Sequence, residues 1–186
     1  HFYSEAFYTM ANAEYYGVTG EKECLDRARR AYDLYWDPWH GAKDPTGLGP
    51  KTISETRSGR SFGLPMIYLN VTSVMALYDK EHTSLYEQRA AACAEEIIRY
   101  HFKPELGCTL ETVSPDGAPM LDVTAGRVVN PGHDIECSWF LLAEAIRKKD
   151  EELVKFAETM FNDAFEFGWD KEYGGISYFK DILGKP

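Results

Sequence analysis

Long hydrophobic runs are missing from this chain. No stretch of its 186 residues approaches the uninterrupted apolar length that a membrane-spanning helix needs, and no signal-peptide pattern opens it. Cysteine is scarce and has no paired spacing. Cys24, Cys93, Cys108 and Cys137 fit neither a zinc site nor a disulfide framework, so free thiols in a reducing, cytoplasmic compartment are expected, with no metal. Positive charge is short as well: 20 Lys and Arg against 30 Asp and Glu leave a formal net charge of −10. That balance argues against nucleic acid and anionic membrane surfaces as partners. No Gly-x-x-x-x-Gly-Lys-Ser/Thr loop is present to cradle a nucleotide phosphate. Nor do strand and helix patterns alternate, which rules against a parallel sheet.

What is present is helical. With 44% hydrophobic and 14% aromatic residues, the chain 1–186 can bury a sizeable core as a single domain. The spacing predicts helices over Phe2–Tyr16, Glu21–Trp36, Leu64–Tyr78, Thr83–Phe102, a stretch opening at Pro131, and Glu151–Phe167. In the first, Phe7, Met10, Ala11 and Tyr15 share the apolar stripe, while Glu5, Tyr8 and Asn12 form a polar one. That polar stripe is either a solvated face or a cavity wall. On the third, Asn70 is either a structural hydrogen-bonder or a ligand contact. His101 is explained as a cap at the C-terminal end of the fourth helix. Asp37–Arg60, with three prolines and four glycines, reads as a long loop carrying a surface His40. Short β elements are expected at Cys108–Val113, turning at Ser114-Pro115-Asp116-Gly117, and near Tyr173–Phe179. The six helices pair into three hairpins.

The chemistry concentrates at Asn130-Pro131-Gly132-His133-Asp134-Ile135-Glu136, which runs into Cys137-Ser138-Trp139-Phe140-Leu141-Leu142. Asn130 is a good helix N-cap and Pro131 suits the first helical position. Ile135, Trp139, Leu142 and Ile146 recur at helical spacing. His133 and Glu136, three apart, are neighbours on the helix surface. The helix dipole pushes the imidazole pKa down; a close carboxylate pushes it up more strongly and stabilises the imidazolium. A neutral His held this way is suited to proton transfer near pH 7. The residues alone also fit a capping His beside a solvated Glu. Cys137 lacks a base to activate it and reads as a small buried filler.

Asn130-Pro131-Gly132-His133-x-x-Glu136-x-x-Trp139-Phe140-Leu141-Leu142 resembles the signature of the N-acylglucosamine 2-epimerase family. So do Ser4-Glu5-x-Phe7-Tyr8-Thr9-Met10, Gly47-Leu48-Gly49, and Gly168-Trp169-Asp170 with Gly174-Gly175 and Tyr178-Phe179. The resemblance implies an all-α fold, an (α/α)6 barrel of helical hairpins with short β-hairpins in the connections, of which about half would be present here. The chain opens at His1 inside a helical pattern and stops at Pro186 after a turn, so a central piece of a longer catalytic domain, inactive alone, is expected.

The resemblance also implies the reaction, inversion at C2 of an open-chain sugar through an enediolate. His133 matches one of two catalytic histidines of the family and Glu136 the carboxylate beside it. Glu5, Tyr8 and Asn70 are the substrate-binding candidates. Asn70 stands where disaccharide epimerases and aldose–ketose isomerases of the family carry His, which favours N-acetylglucosamine and N-acetylmannosamine over cellobiose or mannose. No cofactor is implied; ATP or another nucleotide would act as an effector, and a homodimer is common in the family. A non-catalytic helical scaffold is the contrasting expectation. A glycoside hydrolase would need a second carboxylate facing Glu136, and none is evident.

Overall fold

A computed structural model of the chain describes residues 2–39 and 58–185. It holds α1 (Phe2–Thr19), α2 (Lys22–Trp39), α3 (Gly63–Tyr78), α4 (Thr83–Glu96), α5 (Pro131–Lys148) and α6 (Glu151–Gly168). Six two-residue strands lie between and after them: β1 (Arg60–Ser61), β2 (Phe102–Lys103), β3 (Cys108–Thr109), β4 (Thr112–Val113), β5 (Val128–Val129) and β6 (Lys180–Asp181). His40 and Gly47-Leu48-Gly49, with most of the expected loop, lie outside the described residues. No helix among the described residues is long and apolar enough to cross a membrane. The chain folds as two compact units, one with α1, α2 and Ile67–Ala92, the other with residues 58–66 and Cys93 onward.

In the first unit, α1 ends at Gly20, whose left-handed φ of 74° lets its N–H close on the Tyr16 carbonyl at 2.7 Å. The buried face of α1 is Ala6, Thr9 and Ala13. This corrects the expected aromatic stripe: Phe7 is 60% exposed and Tyr15 51%. Apolar character ranks the aromatics first, but close approach to α2 selects small side chains. On α2 the spacing points Leu25, Ala28, Tyr32 and Tyr35 inward; the first three are buried, and the Tyr35 side chain lies outside the described ones. The Tyr32 ring meets Trp36 and Tyr86, and its hydroxyl shares a 2.8 Å hydrogen bond with Thr72.

Below that aromatic group, Arg29 donates two hydrogen bonds to the fully buried Asp79 carboxylate, at 2.7 and 2.6 Å, and one to Glu81. Tyr86 and His82 also bond Asp79, at 3.0 Å each. Burial alone would raise this carboxyl, but the bonds from Arg29, Tyr86 and His82 hold it at about 2.

In the second unit α5 and α6 form a packed hairpin. Lys149 turns the chain in the left-handed region (φ 57°), and Asp150 caps α6 by accepting the Leu153 N–H at 3.0 Å. The spacing of α6 points Leu153, Phe156, Ala157, Met160, Ala164 and Phe167 inward; Leu153, Ala157, Met160 and Ala164 are buried, whereas Phe156 and Phe167 are half-buried. On α5 the burial differs from the expected stripe. Trp139 and Ile146 are 52% and 67% exposed, whereas Cys137, Ser138, Phe140, Leu141 and Ala145 are buried. The packed face is rotated from the expected stripe and mixes the small Cys137, Ser138 and Ala145 with the large Phe140 and Leu141.

The strands of this unit pair differently from expectation. β3 pairs with β2, and β4 reaches back to β1, while the turn at Ser114–Gly117 forms without joining a hairpin. β5 pairs with β6, and the alternating stretch before β6 holds only a single bridge, Trp169 to Ile176. A period-2 pattern shows that a segment is extended but does not name its partner. Cys108, Leu110, Val113 and Val129 form a small core here. The helix predicted through Phe102 stops at Glu96 and continues as one wide π turn, Ile97–His101. That turn carries His101 inward, fully buried, its Nδ1 2.9 Å from the Leu110 carbonyl, so it is a core residue and not an exposed cap.

Candidate active site

The N-terminus of α5 is built as its sequence dictates. Pro131 takes the first position, and the Asn130 side chain accepts the His133 N–H at 3.1 Å. Gly168, the last residue of α6, lies against this turn. A Cβ there would sit 2.5 Å from Pro131 Cβ, so glycine permits the approach. His133 is thus held from its own backbone and from the neighbouring helix.

Its imidazole is partly exposed (34%), and Nδ1 lies 2.7 Å from Oε1 of Glu111, itself 17% exposed. Glu111 sits between β3 and β4 with its backbone fixed on both sides. Its N–H donates to the Val128 carbonyl at 3.2 Å, and its carbonyl accepts from Phe62 N–H at 3.0 Å. The hydrogen bond that His133 donates to Glu111 raises the His133 pKa, burial opposes it, and the charges of Glu111 and Glu136 add to the rise.

The carboxylate bonded to His133 is therefore Glu111. Glu136, exposed one helical turn further on, acts on the ring through its charge. Sequence reasoning missed Glu111 because it lies 22 positions away on another element. Its one local signal is an acidic residue inside an otherwise apolar and β-branched run.

Next to His133, Asp134 points the other way. It is buried, and its Oδ2 accepts the Thr109 N–H at 3.2 Å. Burial pushes this carboxyl well above the ordinary carboxylate range, which disfavours its charged form. Burial likewise raises Cys137, which is fully enclosed, and lifts Cys108 to about 12, so neither thiol is a nucleophile near neutral pH.

The remaining candidates belong to the first unit. Glu5 and Tyr8 lie on α1, half-buried and 49% exposed respectively. Asn70 on α3 is half-buried, with its Nδ2 3.5 Å from Met10 Sδ. In that unit Asp79, Glu81 and His82 gather closely enough for a cation, but the Arg29 guanidinium already pairs with both carboxylates. A cleft of about 550 Å³ in the second unit is lined by Gly107, Asp163, Glu166, Phe167, Trp169, Lys171 and Lys180, and does not include His133.

Residues 1–186 match the protein family described as N-acylglucosamine 2-epimerase (GlcNAc 2-epimerase). The chain belongs to the N-acylglucosamine 2-epimerase family. Among relatives, it is 37% identical over 182 residues to the N-acylglucosamine 2-epimerase of Rattus norvegicus, covering 96% of this chain and 42% of that protein. With the enzyme of Homo sapiens the identity is 34% over 182 residues, covering 96% and 41%. The chain spans about two-fifths of the length of these curated relatives.

Among solved structures of similar fold, cellobiose 2-epimerase from Bacillus thermoamylovorans superposes with a TM-score of 0.78 at 19% identity, covering all of this chain and 49% of that one. A D-mannose isomerase superposes at 0.73 with 20% identity, covering 100% and 49%. The fold of this family member is mostly helical, of the (α/α)6 type, and accounts for about half of each such neighbour.

Proposed function

We propose that the chain supplies one proton-handling side of the active site of a sugar 2-epimerase that interconverts N-acyl-D-glucosamine and N-acyl-D-mannosamine. The observation that carries this reading is His133. It is half-exposed at the mouth of α5 and anchored to a carboxylate, in a chain whose relatives are named for this reaction.

In the open-chain sugar the C1 carbonyl acidifies the C2 hydrogen. His133 takes that proton, the C2–H electron pair becomes the C1=C2 double bond as the carbonyl π pair moves onto O1, and an enolate forms whose C2 still carries the acylamino nitrogen. An acid on the opposite face returns a proton to C2, which gives the epimer; in the reverse direction the imidazolium of His133 is the donor. The hydrogen bond to Glu111 raises the His133 pKa and so favours the imidazolium that forms when the ring takes the proton. Glu136 adds negative charge that favours the imidazolium, and Glu5, Tyr8 and Asn70 are assigned to sugar binding.

No cofactor is required on this reading, because the substrate carbonyl is the electron sink; a nucleotide would act only as an effector. A reducing, cytoplasmic setting is part of the same proposal, supported by four buried cysteine thiols. The test is product identity. The full-length protein is offered N-acetylmannosamine, cellobiose and mannose, and N-acetylglucosamine from the first is the expected product. Turnover of cellobiose or mannose alone would replace the substrate assignment, and turnover of none would favour a non-catalytic scaffold.

A further inference from the structure

We propose that Glu111 is a positioning residue that fixes His133 in the Nδ1–H tautomer, so that Nε2 is the nitrogen that exchanges the proton with C2. This rests on the epimerase reading for its chemistry, although the tautomer itself does not.

The geometry leaves little freedom. An ionised carboxylate only accepts hydrogen bonds, so the 2.7 Å contact to Oε1 requires Nδ1 to donate, and the neutral ring then carries its lone pair on Nε2. Among the described residues, Nδ1 is the hydrogen-bonded ring nitrogen. The main chain that carries this carboxylate is held on both sides, the Glu111 N–H donating to the Val128 carbonyl and its carbonyl accepting the Phe62 N–H. The turn that carries the imidazole is held as well, because Asn130 caps its backbone and Gly168 lets α6 close on Pro131 in the same turn.

Glu136 does not fill this role. It sits exposed on α5 and reaches the ring through charge, which could stabilise an imidazolium but could not choose between nitrogens. The charged groups acting on His133 are thus Glu111 from the β3–β4 connection and Glu136 from its own helix, while burial disfavours the charged form of the neighbouring Asp134. A base whose partner orients the ring and stabilises the charge it gains is the general pattern for an imidazole in proton transfer.

Two measurements on the full-length protein test this. The first needs no activity: ¹⁵N NMR of histidine-labelled protein reports the tautomer of His133. The Nδ1–H form is expected, titrating above an ordinary histidine, and an Nε2–H form would overturn the proposal. The second is the pH profile of kcat/KM for Glu111→Gln, which keeps an acceptor oxygen and loses the charge. The acidic limb should move down by about one pH unit, at the low end of what a close carboxylate does. The plateau kcat should fall at least several-fold, with KM within about twofold of wild type.

An unmoved limb in a folded Glu111→Gln variant, or a limb that moves with Glu136→Gln instead, would refute the role of Glu111. If the wild-type protein exchanges no sugar proton while NMR still finds Nδ1–H, the epimerase reading fails and the tautomer assignment stands.

Discussion

Gly168→Ala probes how the site is held, because the added methyl lands on a group that cannot rotate away. The new Cβ would lie 2.5 Å from Pro131 Cβ, 2.9 Å from its Cγ and 3.3 Å from Ile176 Cγ2. Carbon atoms prefer separations of about 3.5–4.0 Å, so the helix end and the first turn of α5 must part by roughly 1 Å. Overpacking of this kind costs about 1–3 kcal/mol, and a rigid proline ring places the cost in the upper half of that range. Alanine in place of glycine in a helix returns roughly 0.5–1 kcal/mol. The net expectation is a loss of about 1–2 kcal/mol, read as a lower urea midpoint of the full-length protein.

Activity should suffer more than stability. A displacement of roughly 1 Å at a proton-transfer group is worth up to about a hundredfold in rate, and His133 is two residues beyond Pro131. Adding Pro131→Gly to Gly168→Ala removes the atoms that clash, so part of the stability should return in the double variant. A Gly168→Ala protein with wild-type stability and wild-type turnover would show that α6 does not brace the His133 turn.

Two further predictions concern buried carboxyls of opposite behaviour. Asp79 is held at about 2 against an ordinary 3.8, a difference worth about 2–3 kcal/mol at neutral pH. A depressed pKa stabilises the fold above the unfolded value and loses that contribution as pH falls. Asp79→Asn should therefore be less stable than wild type at pH 7 by roughly this amount, with the gap closing toward pH 2; a gap of constant size in urea titrations across that range would contradict the Arg29 clamp. Asp134 is the reverse: its carboxyl is raised by burial, so its contribution is present at low pH and lost as pH rises through its folded value. Asp134→Asn should be more stable than wild type at pH 7 to 8 and lose that advantage below the ordinary carboxylate range. A variant destabilised equally at all pH values would mean that the proton is not what the fold retains.

The local parts of the site were legible in the sequence and the cross-chain parts were not. Asn130 and Pro131 act as their residue types require at a helix start, and the inward face of α6 follows its 3.6-residue spacing. Both are decided within a turn or two of the chain. The faces of α1 and α5 misled, because hydrophobicity favours Phe7, Tyr15, Trp139 and Ile146, while the packed faces are Ala6, Thr9 and Ala13 on α1 and Cys137, Phe140, Leu141 and Ala145 on α5. The π turn at Ile97–His101 follows an alanine-rich helix with no local break to announce it.

Glu111 could be located only through its partners. It is brought to His133 by the pairing of β5 with β6 and of β4 with β1, and by the bonds from Glu111 to Val128 and Phe62 that lie between them. Strand partners of two residues each leave no period to read.

The most direct measurement is exchange of the C2 hydrogen of N-acetylmannosamine with deuterated water, followed by NMR for the full-length protein and its His133→Ala variant. Deuterium should enter at C2 with the wild type, and the folded variant should lose that exchange. Undiminished exchange in folded His133→Ala protein would place the base elsewhere and contradict the role given to this imidazole.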